Sequence, residues 1–169
     1  MPDVFSSSKR SEVMSLIRGS GNKSTEMLFA AMLRKAAIKG WRRHLALTVP
    51  APARLKESTR NGAIRTRPDF VFPSERLAVF LDGCFWHQCP QHFKAPASNA
   101  EFWTTKIQRN VCRDRATTAS LRANEWSVLR FWEHELKDER AVIRKMKRRL
   151  SERRRDSGRI FSGIASLPD

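Results

Sequence analysis

Apolar positions along the chain recur with two different periods, and the changes between them mark out its elements. In residues 8–18 (SKRSEVMSLIR), Val13, Met14 and Ile17 fall on one side of a short helix, which Gly19, Ser20, Gly21 and Asn22 break. Ser24 or Thr25 can cap a longer helix running to Lys39 and stopped by Gly40. Its expected buried stripe is Met27, Leu28, Ala31 and Leu33 or Ala30. Trp41–Val49 reads as a strand. Pro50–Arg67, with two prolines, Gly62 and five Lys/Arg, reads as an exposed basic loop, a length that compact domains reserve for function or leave without order. Phe70–Phe72 and Leu77–Leu81 are strands joined by a turn at Pro73–Arg76. The second is continuously apolar, the mark of a strand covered on both faces. Ser98 or Asn99 can cap a helix over residues 100–124, Trp126–Trp132 is a further strand, and a basic helix follows over 133–155. This order predicts one α/β domain over residues 1–155, a mixed central sheet flanked by helices, and a flexible tail over 156–169.

Composition narrows the function classes. At 169 residues the chain is long enough to bury roughly 70% of its extended surface. Its 33 Lys and Arg against 17 Asp and Glu give a net charge of +16, a field that concentrates polyanions and favours nucleic acid or an anionic surface. No apolar run approaches the roughly 20 residues of a membrane span, and Met1–Arg10 is too polar for a signal peptide. The expected location is therefore the cytoplasm, with association to the nucleoid through DNA. Cys84, Cys89 and Cys112 are too few and odd in number for a disulfide framework, which leaves metal binding or plain burial.

The chemistry concentrates between Arg67 and His92. Phosphodiester hydrolysis requires a hard cation at the phosphate and a base for water. Asp69 enters a strand after Pro68, opposite the end of the apolar strand Leu77–Leu81, and is a suitable Mg²⁺ anchor together with the Leu81 backbone or the Asp82 side chain. His87, close after that strand, is the candidate base. The plainer readings are a turn-capping aspartate and a histidine that is only a satisfied polar group. Cys84, Cys89 and His92 stand as C-x4-C-x2-H, and with the distant His134 they make the ligand set of a closed tetrahedral Zn²⁺ site. Equally open is a pair of buried thiols with His134 capping a helix. Aromatics on so basic a chain, Phe85, Trp86 and Trp103, suit insertion into a base stack, or core packing. Lys106, Arg109 and Asn110 can hold a phosphate backbone or read a base edge, and the run Lys145–Arg155 suits phosphate contacts, with an anionic partner surface as second choice.

RPDFVF, AVFLDGCFWHQCPQHFK, EFWTTKIQRN and SVLRFWEHEL, in this order over Asp69–Leu136, closely resemble the very-short-patch repair (Vsr) endonuclease family. The resemblance implies a restriction-endonuclease-like fold of the PD-(D/E)XK type with a structural zinc site. It also implies Mg²⁺-dependent nicking beside the thymine of a T·G mismatch, the product of 5-methylcytosine deamination. By motif match, Asp69 and the Leu81 backbone would hold Mg²⁺, and Glu26 would support metal-bound water. His87 would be catalytic, with Asp82 beside it in the site. Cys84, Cys89, His92 and His134 would hold Zn²⁺, and Phe85, Trp86 and Trp103 would wedge into DNA. The implied substrate is double-stranded DNA bound by a monomer, with other repair proteins as further partners and no membrane.

The chain also departs from that pattern. Asp82 stands where some members carry a second histidine, RTRPD replaces a more usual Pro-Gly-Lys/Arg-Pro-Asp, and Pro50–Arg67 is longer than expected. Cys112 matches no ligand and is expected to pack inward from its helix. Two other readings stand beside the mismatch nickase: a restriction-type enzyme of the same fold cutting both strands, and a zinc-bearing DNA-binding protein that has lost catalysis.

Overall fold

The structure, a computed structural model, describes residues 23–53, 60–96 and 99–164. The helix expected over residues 8–18, its break at 19–22, and Ser98 lie outside the described residues. In chain order the elements are α1 (Lys23–Lys35), β1 (Arg42–Arg43), β2 (Leu47–Pro50), β3 (Ala63–Thr66), β4 (Phe70–Phe72), β5 (Leu77–Asp82), α2 (Ala100–Ala123), β6 (Ser127–Trp132) and α3 (Glu139–Ile164). A 3-10 turn over Glu133–Lys137 leads into α3.

The main sheet runs β1-β4-β5-β6, antiparallel at its first two pairings and parallel between β5 and β6. Side chains alternate across it, as the strand period requires. Phe70, Phe72, Leu77, Val79, Leu129 and Phe131 point into one core, closed by Phe29 and Leu33 of α1 and by Val142, Met146 and Leu150 of α3. Ala78 and Val128 point the other way, against Leu121 of α2 and Val49 of β2, with Phe80, Leu47 and Trp126 alongside. A sheet covered on both faces explains the uninterrupted apolar run of β5.

Five sequence expectations shift. The buried stripe of α1 is Glu26, Phe29, Ala30 and Leu33, while Met27 and Leu28 are about half exposed. The helical period set by the Phe29–Leu33 pair turns a carboxylate inward and leaves Met27, Leu28 and Ala31 outward. That helix ends at Lys35, before Gly40. The expected strand over 41–49 is two pieces, and the expected loop after it contains a strand, Ala63–Thr66: β2 pairs with β3 from Leu47↔Thr66 to Pro50↔Ala63. Leu47 and Val49 anchor this second sheet on the α2 face, and Asn124 Nδ2 donates to the Pro50 carbonyl at 2.9 Å. Last, α3 continues to Ile164, past Arg155, because no proline intervenes before Pro168.

The basic run of α3 also has work within the fold. Arg154 Nε donates to the buried Glu75 carboxylate at 2.9 Å, and Arg153 reaches the backbone carbonyls of Glu75 and Glu125 at 2.9 and 3.0 Å. These arginines fasten α3 to the β4–β5 turn. Among the described residues, no helix is long and apolar enough to cross a membrane.

Candidate functional site

The C-terminal end of β5 gathers three groups of side chains. On the α1 face, Asp69 precedes β4, and its Oδ2 accepts a hydrogen bond from the Leu81 N–H at 2.7 Å. Glu26, on the inward stripe of α1, is 2% exposed. His44 Nε2 lies 2.8 Å from Glu26 Oε2, and Arg43 pairs with the same oxygen. The ligand atoms of Glu26, His44 and Asp69 all lie within 4.8 Å of one another. Burial pushes the Asp69 carboxyl up to about 6, despite the Leu81 hydrogen bond, and the negative charges of Glu26 and Asp82 add to the rise. Carboxylates crowded in this way, with an imidazole beside them, fit a divalent cation. Sequence reasoning named Asp69, Glu26 and Leu81 but missed His44 and Arg43, which β1 delivers through its pairing with β4, Arg43↔Phe70.

On the α2 face stands a charged network. His87 Nδ1 lies 2.5 Å from Asp114 Oδ2 and 3.7 Å from Asp82 Oδ1. Arg130 grips Asp82 with two hydrogen bonds of 2.6 Å and approaches Asp114 Oδ1 at 3.2 Å. Burial opposes the ionised form of Asp114, yet the hydrogen bond with His87 and the Arg130 charge outweigh it and hold its carboxyl below the usual carboxylate range. Asp82 is 4% exposed and faces Arg130, so its side chain is not part of the Asp69 cluster. Asp114 and Arg130 were absent from the sequence reading. Trp103, Ile107, Thr117 and Leu121 form the buried stripe of α2, and Asn110 and Asp114 fall on it at helical spacing. A polar residue on a buried stripe is the signal that marks Asp114.

The third group holds metal-binding chemistry. The parallel register Asp82↔Trp132 places Cys84 and His134 side by side, each two residues past the last pair. Cys84 Sγ lies 3.1 Å from His134 Nδ1, and Cys89 Sγ lies 3.7 and 3.8 Å from His92 and His134 Nδ1. A tetrahedral zinc with bonds of about 2.3 Å to sulfur and 2.0 Å to nitrogen requires S···N edges of about 3.5 Å; the two Cys89 edges come near this and the Cys84–His134 edge is shorter, and two thiols with two imidazoles are the donor set such an ion takes. Burial pushes the Cys84 thiol up to about 11, and the neighbouring Cys89 adds to it. Buried side by side in this way, the two thiols would ionise together only with a cation between them. Cys112, by contrast, is exposed, against the expectation that it packs inward. It lies off the stripe that runs through Ile107 and Asp114.

Between the metal-binding group and α2 the chain builds an aromatic cluster. Phe85, Trp86 and Trp103 meet at ring separations of 5.2–5.9 Å. Lys106 Nζ lies 5.2 Å from the Trp86 ring centre, 5.4 Å from that of Trp103 and 5.6 Å from that of Phe102. Trp103 is 8% exposed and forms the floor, whereas Phe102, which sequence reasoning passed over, is 57% exposed. Asn110 Nδ2 donates to the Trp86 carbonyl at 3.2 Å, so it supports this loop, while Lys106 and Arg109 stand exposed. Gly83 permits the close turn, since a Cβ there would sit 3.3 Å from Trp86 Cδ1.

The chain is also similar in sequence to known proteins. The family described as DNA mismatch endonuclease Vsr matches residues 54–92. The chain is 33% identical over 152 residues, 89% of its length and 94% of the relative's, to the type II nicking enzyme V.NmeAIP of Neisseria meningitidis serogroup A. The chain belongs to the Vsr endonuclease family. It is also 48% identical over 81 residues to the type II nicking enzyme V.NaeI of Lentzea aerocolonigenes, covering 47% of this chain and 49% of that protein. To the DNA mismatch endonuclease Vsr of Escherichia coli it is 43% identical over 75 residues, 44% of this chain and 48% of that protein. In these two matches the chain spans about half the length of its Vsr relative.

Proposed function

We propose that this protein is a DNA endonuclease with the fold of type II restriction enzymes. In this reading it nicks one strand beside the thymine of a T·G mismatch, acts as a monomer on double-stranded DNA, and initiates very-short-patch repair. The observation that carries the reading is the meeting, at the end of β5, of a carboxylate cluster, an imidazole–carboxylate pair and an aromatic cluster.

Asp69, with Glu26, His44 and the Leu81 backbone around it, would hold the catalytic Mg²⁺. That cation supplies neutralisation of the scissile phosphate and acidification of water. Nδ1 of His87 is engaged by Asp114, which leaves Nε2 as the nitrogen that exchanges a proton with the reacting oxygen. Glu26 orients the water side of the cluster, and Arg43 compensates its charge. Phe85, Trp86 and the exposed Phe102, on the Trp103 floor, insert where a mismatched pair stacks weakly. Lys106 and Arg109 contact the phosphates beside the insertion. Cys84, Cys89, His92 and His134 would hold Zn²⁺, which would fix the loop that carries both His87 and the aromatics. The names of the relatives, a mismatch endonuclease and nicking enzymes, support the same reaction.

The test is incubation with Mg²⁺ and duplexes carrying T·G, C·G or T·A at one site in several flanking sequences. The expected product is a single-strand nick on the T·G duplex alone. Cleavage of both strands of a C·G duplex establishes the restriction-type alternative, and tight mismatch binding without cleavage establishes the non-catalytic one.

A further inference from the structure

His87 has two carboxylates within reach of one ring nitrogen. Asp114 Oδ2 lies 2.5 Å from Nδ1 and Asp82 Oδ1 lies 3.7 Å from it, yet a single N–H can satisfy only one. Both carboxylates are largely shielded, with side-chain exposures of 20% for Asp114 and 6% for Asp82. A buried carboxylate without a partner is costly, so whichever one loses the imidazole must find another donor.

Arg130 is that donor. Its Nε donates to Asp82 Oδ2 and its Nη2 to Asp82 Oδ1, both at 2.6 Å, a bidentate fork that occupies both oxygens. The same Nη2 lies 3.2 Å from Asp114 Oδ1, the oxygen that His87 does not use. The guanidinium is itself held in place: it stacks 4.7 Å from the Phe80 ring centre, and Nη1 lies 3.5 Å from Thr118 Oγ1. Sheet register puts it there, because Arg130 pairs with Phe80 and Asp82 is two residues further along the same face of β5.

We propose that Arg130 is a positioning residue that selects Asp114, and not Asp82, as the partner of His87. Lysine at 130 would keep the charge without the planar fork. Without Arg130, Asp82 would be released toward Nδ1, and the imidazole would leave the orientation in which Nε2 faces the scissile phosphate. The inference rests on the nuclease reading above for its kinetic consequence, but not for its geometry.

The experiment is a double-mutant cycle on the full chain with Arg130→Met, Asp82→Ala and both together, plus Arg130→Lys. Single-turnover nicking of a T·G duplex and duplex affinity are measured for each. Arg130→Met should slow nicking on the order of 10²-fold, within the range a displaced general base produces, and change affinity less than about twofold. Adding Asp82→Ala to Arg130→Met should recover about tenfold, since the competing carboxylate is gone. Arg130→Lys should fall between wild type and Arg130→Met, and it serves as the folded variant if Arg130→Met does not fold. A second readout is the far-downfield ¹H resonance of the His87 Nδ1–H that a short N–H···O bond gives. It should be present in wild type, shift in Arg130→Met as Asp82 replaces Asp114, be lost in Asp114→Asn, and return to its wild-type position in the double variant. If the two losses multiply with no recovery, or the resonance survives Arg130→Met unchanged, the selection does not exist. A wild-type chain that cuts no duplex but shows the resonance pattern overturns the nuclease reading and leaves the role of Arg130 intact.

Discussion

Asp69→Asn should make the metal-free protein more stable at neutral pH while abolishing cleavage. The raised Asp69 carboxyl means that the folded state disfavours the charge that function requires. Its displacement from 3.8 to about 6 corresponds to about 3 kcal/mol, at about 1.4 kcal/mol per pH unit. Water at this partly open position reduces the net effect to about 1–2 kcal/mol. A carboxyl raised on folding binds its proton more tightly in the native state, so its contribution falls as pH rises from about 4 to about 6 and stays lost above. Asparagine keeps an acceptor for the Leu81 N–H and carries no charge. The assay is thermal and urea unfolding of both proteins at pH 5 and pH 8 in buffer without added divalent cations. At pH 8 the variant should melt roughly 3–6 °C higher, and at pH 5 the gap should shrink. Saturating Mg²⁺ should close the gap at pH 8, because only the wild type gains binding free energy, about 2.7 kcal/mol at a hundredfold excess over Kd. A variant equal to or weaker than wild type at pH 8, or a gap independent of pH, refutes the reasoning.

Three other outcomes are expected. Nicking at subsaturating Mg²⁺ should rise about tenfold per pH unit below about 6 and level off above it, as Asp69 ionises; a profile flat from pH 5 to 7 removes Asp69 from the metal site. Purified protein should carry about one zinc per chain by mass spectrometry, and Cys89→Ser should unfold or aggregate it, since structural zinc contributes folding free energy directly; an active, folded, zinc-free chain returns the thiols to simple burial. Trp86→Ala should lower the T·G over C·G binding ratio about tenfold with an unchanged salt slope, whereas Lys106→Gln with Arg109→Gln should flatten the slope and weaken both duplexes; a Trp86→Ala variant that weakens both alike and melts earlier makes the ring part of the core.

What the sequence made legible follows from range. β4, β5 and β6 were readable because their apolar runs are local, and Cys84, Cys89, His87 and Asp69 because they cluster in one short motif-bearing stretch. The α1 stripe was misread because Met27 and Leu28 are apolar, whereas the inward position belongs to Glu26, a carboxylate that β1 satisfies from a distance with Arg43 and His44. His44, Asp114 and Arg130 meet their partners only through pairing that no local window contains: β1 on β4, α2 across β5, and β6 beside β5. Strand β3 was taken for loop because prolines and arginines around it hide the pairing of Ile64 and Thr66 with Val49 and Leu47. Arg153 and Arg154 looked like a phosphate-binding surface because net charge cannot show that Glu75 and the Glu125 carbonyl already engage them.

The hairpin has a consequence for how such a protein changes over generations. Pro50 pairs with Ala63 and the Ala51 N–H bonds the Gly62 carbonyl, so the chain beyond them joins the hairpin at one point. His44 lies just before the hairpin and Asp69 just after it. Lengthening, shortening or rewriting the chain over residues 54–59 should therefore alter neither the spacing nor the aim of those two side chains. Selection can vary this segment while the reaction centre is inherited unchanged. It is the natural place to graft foreign sequence in the laboratory.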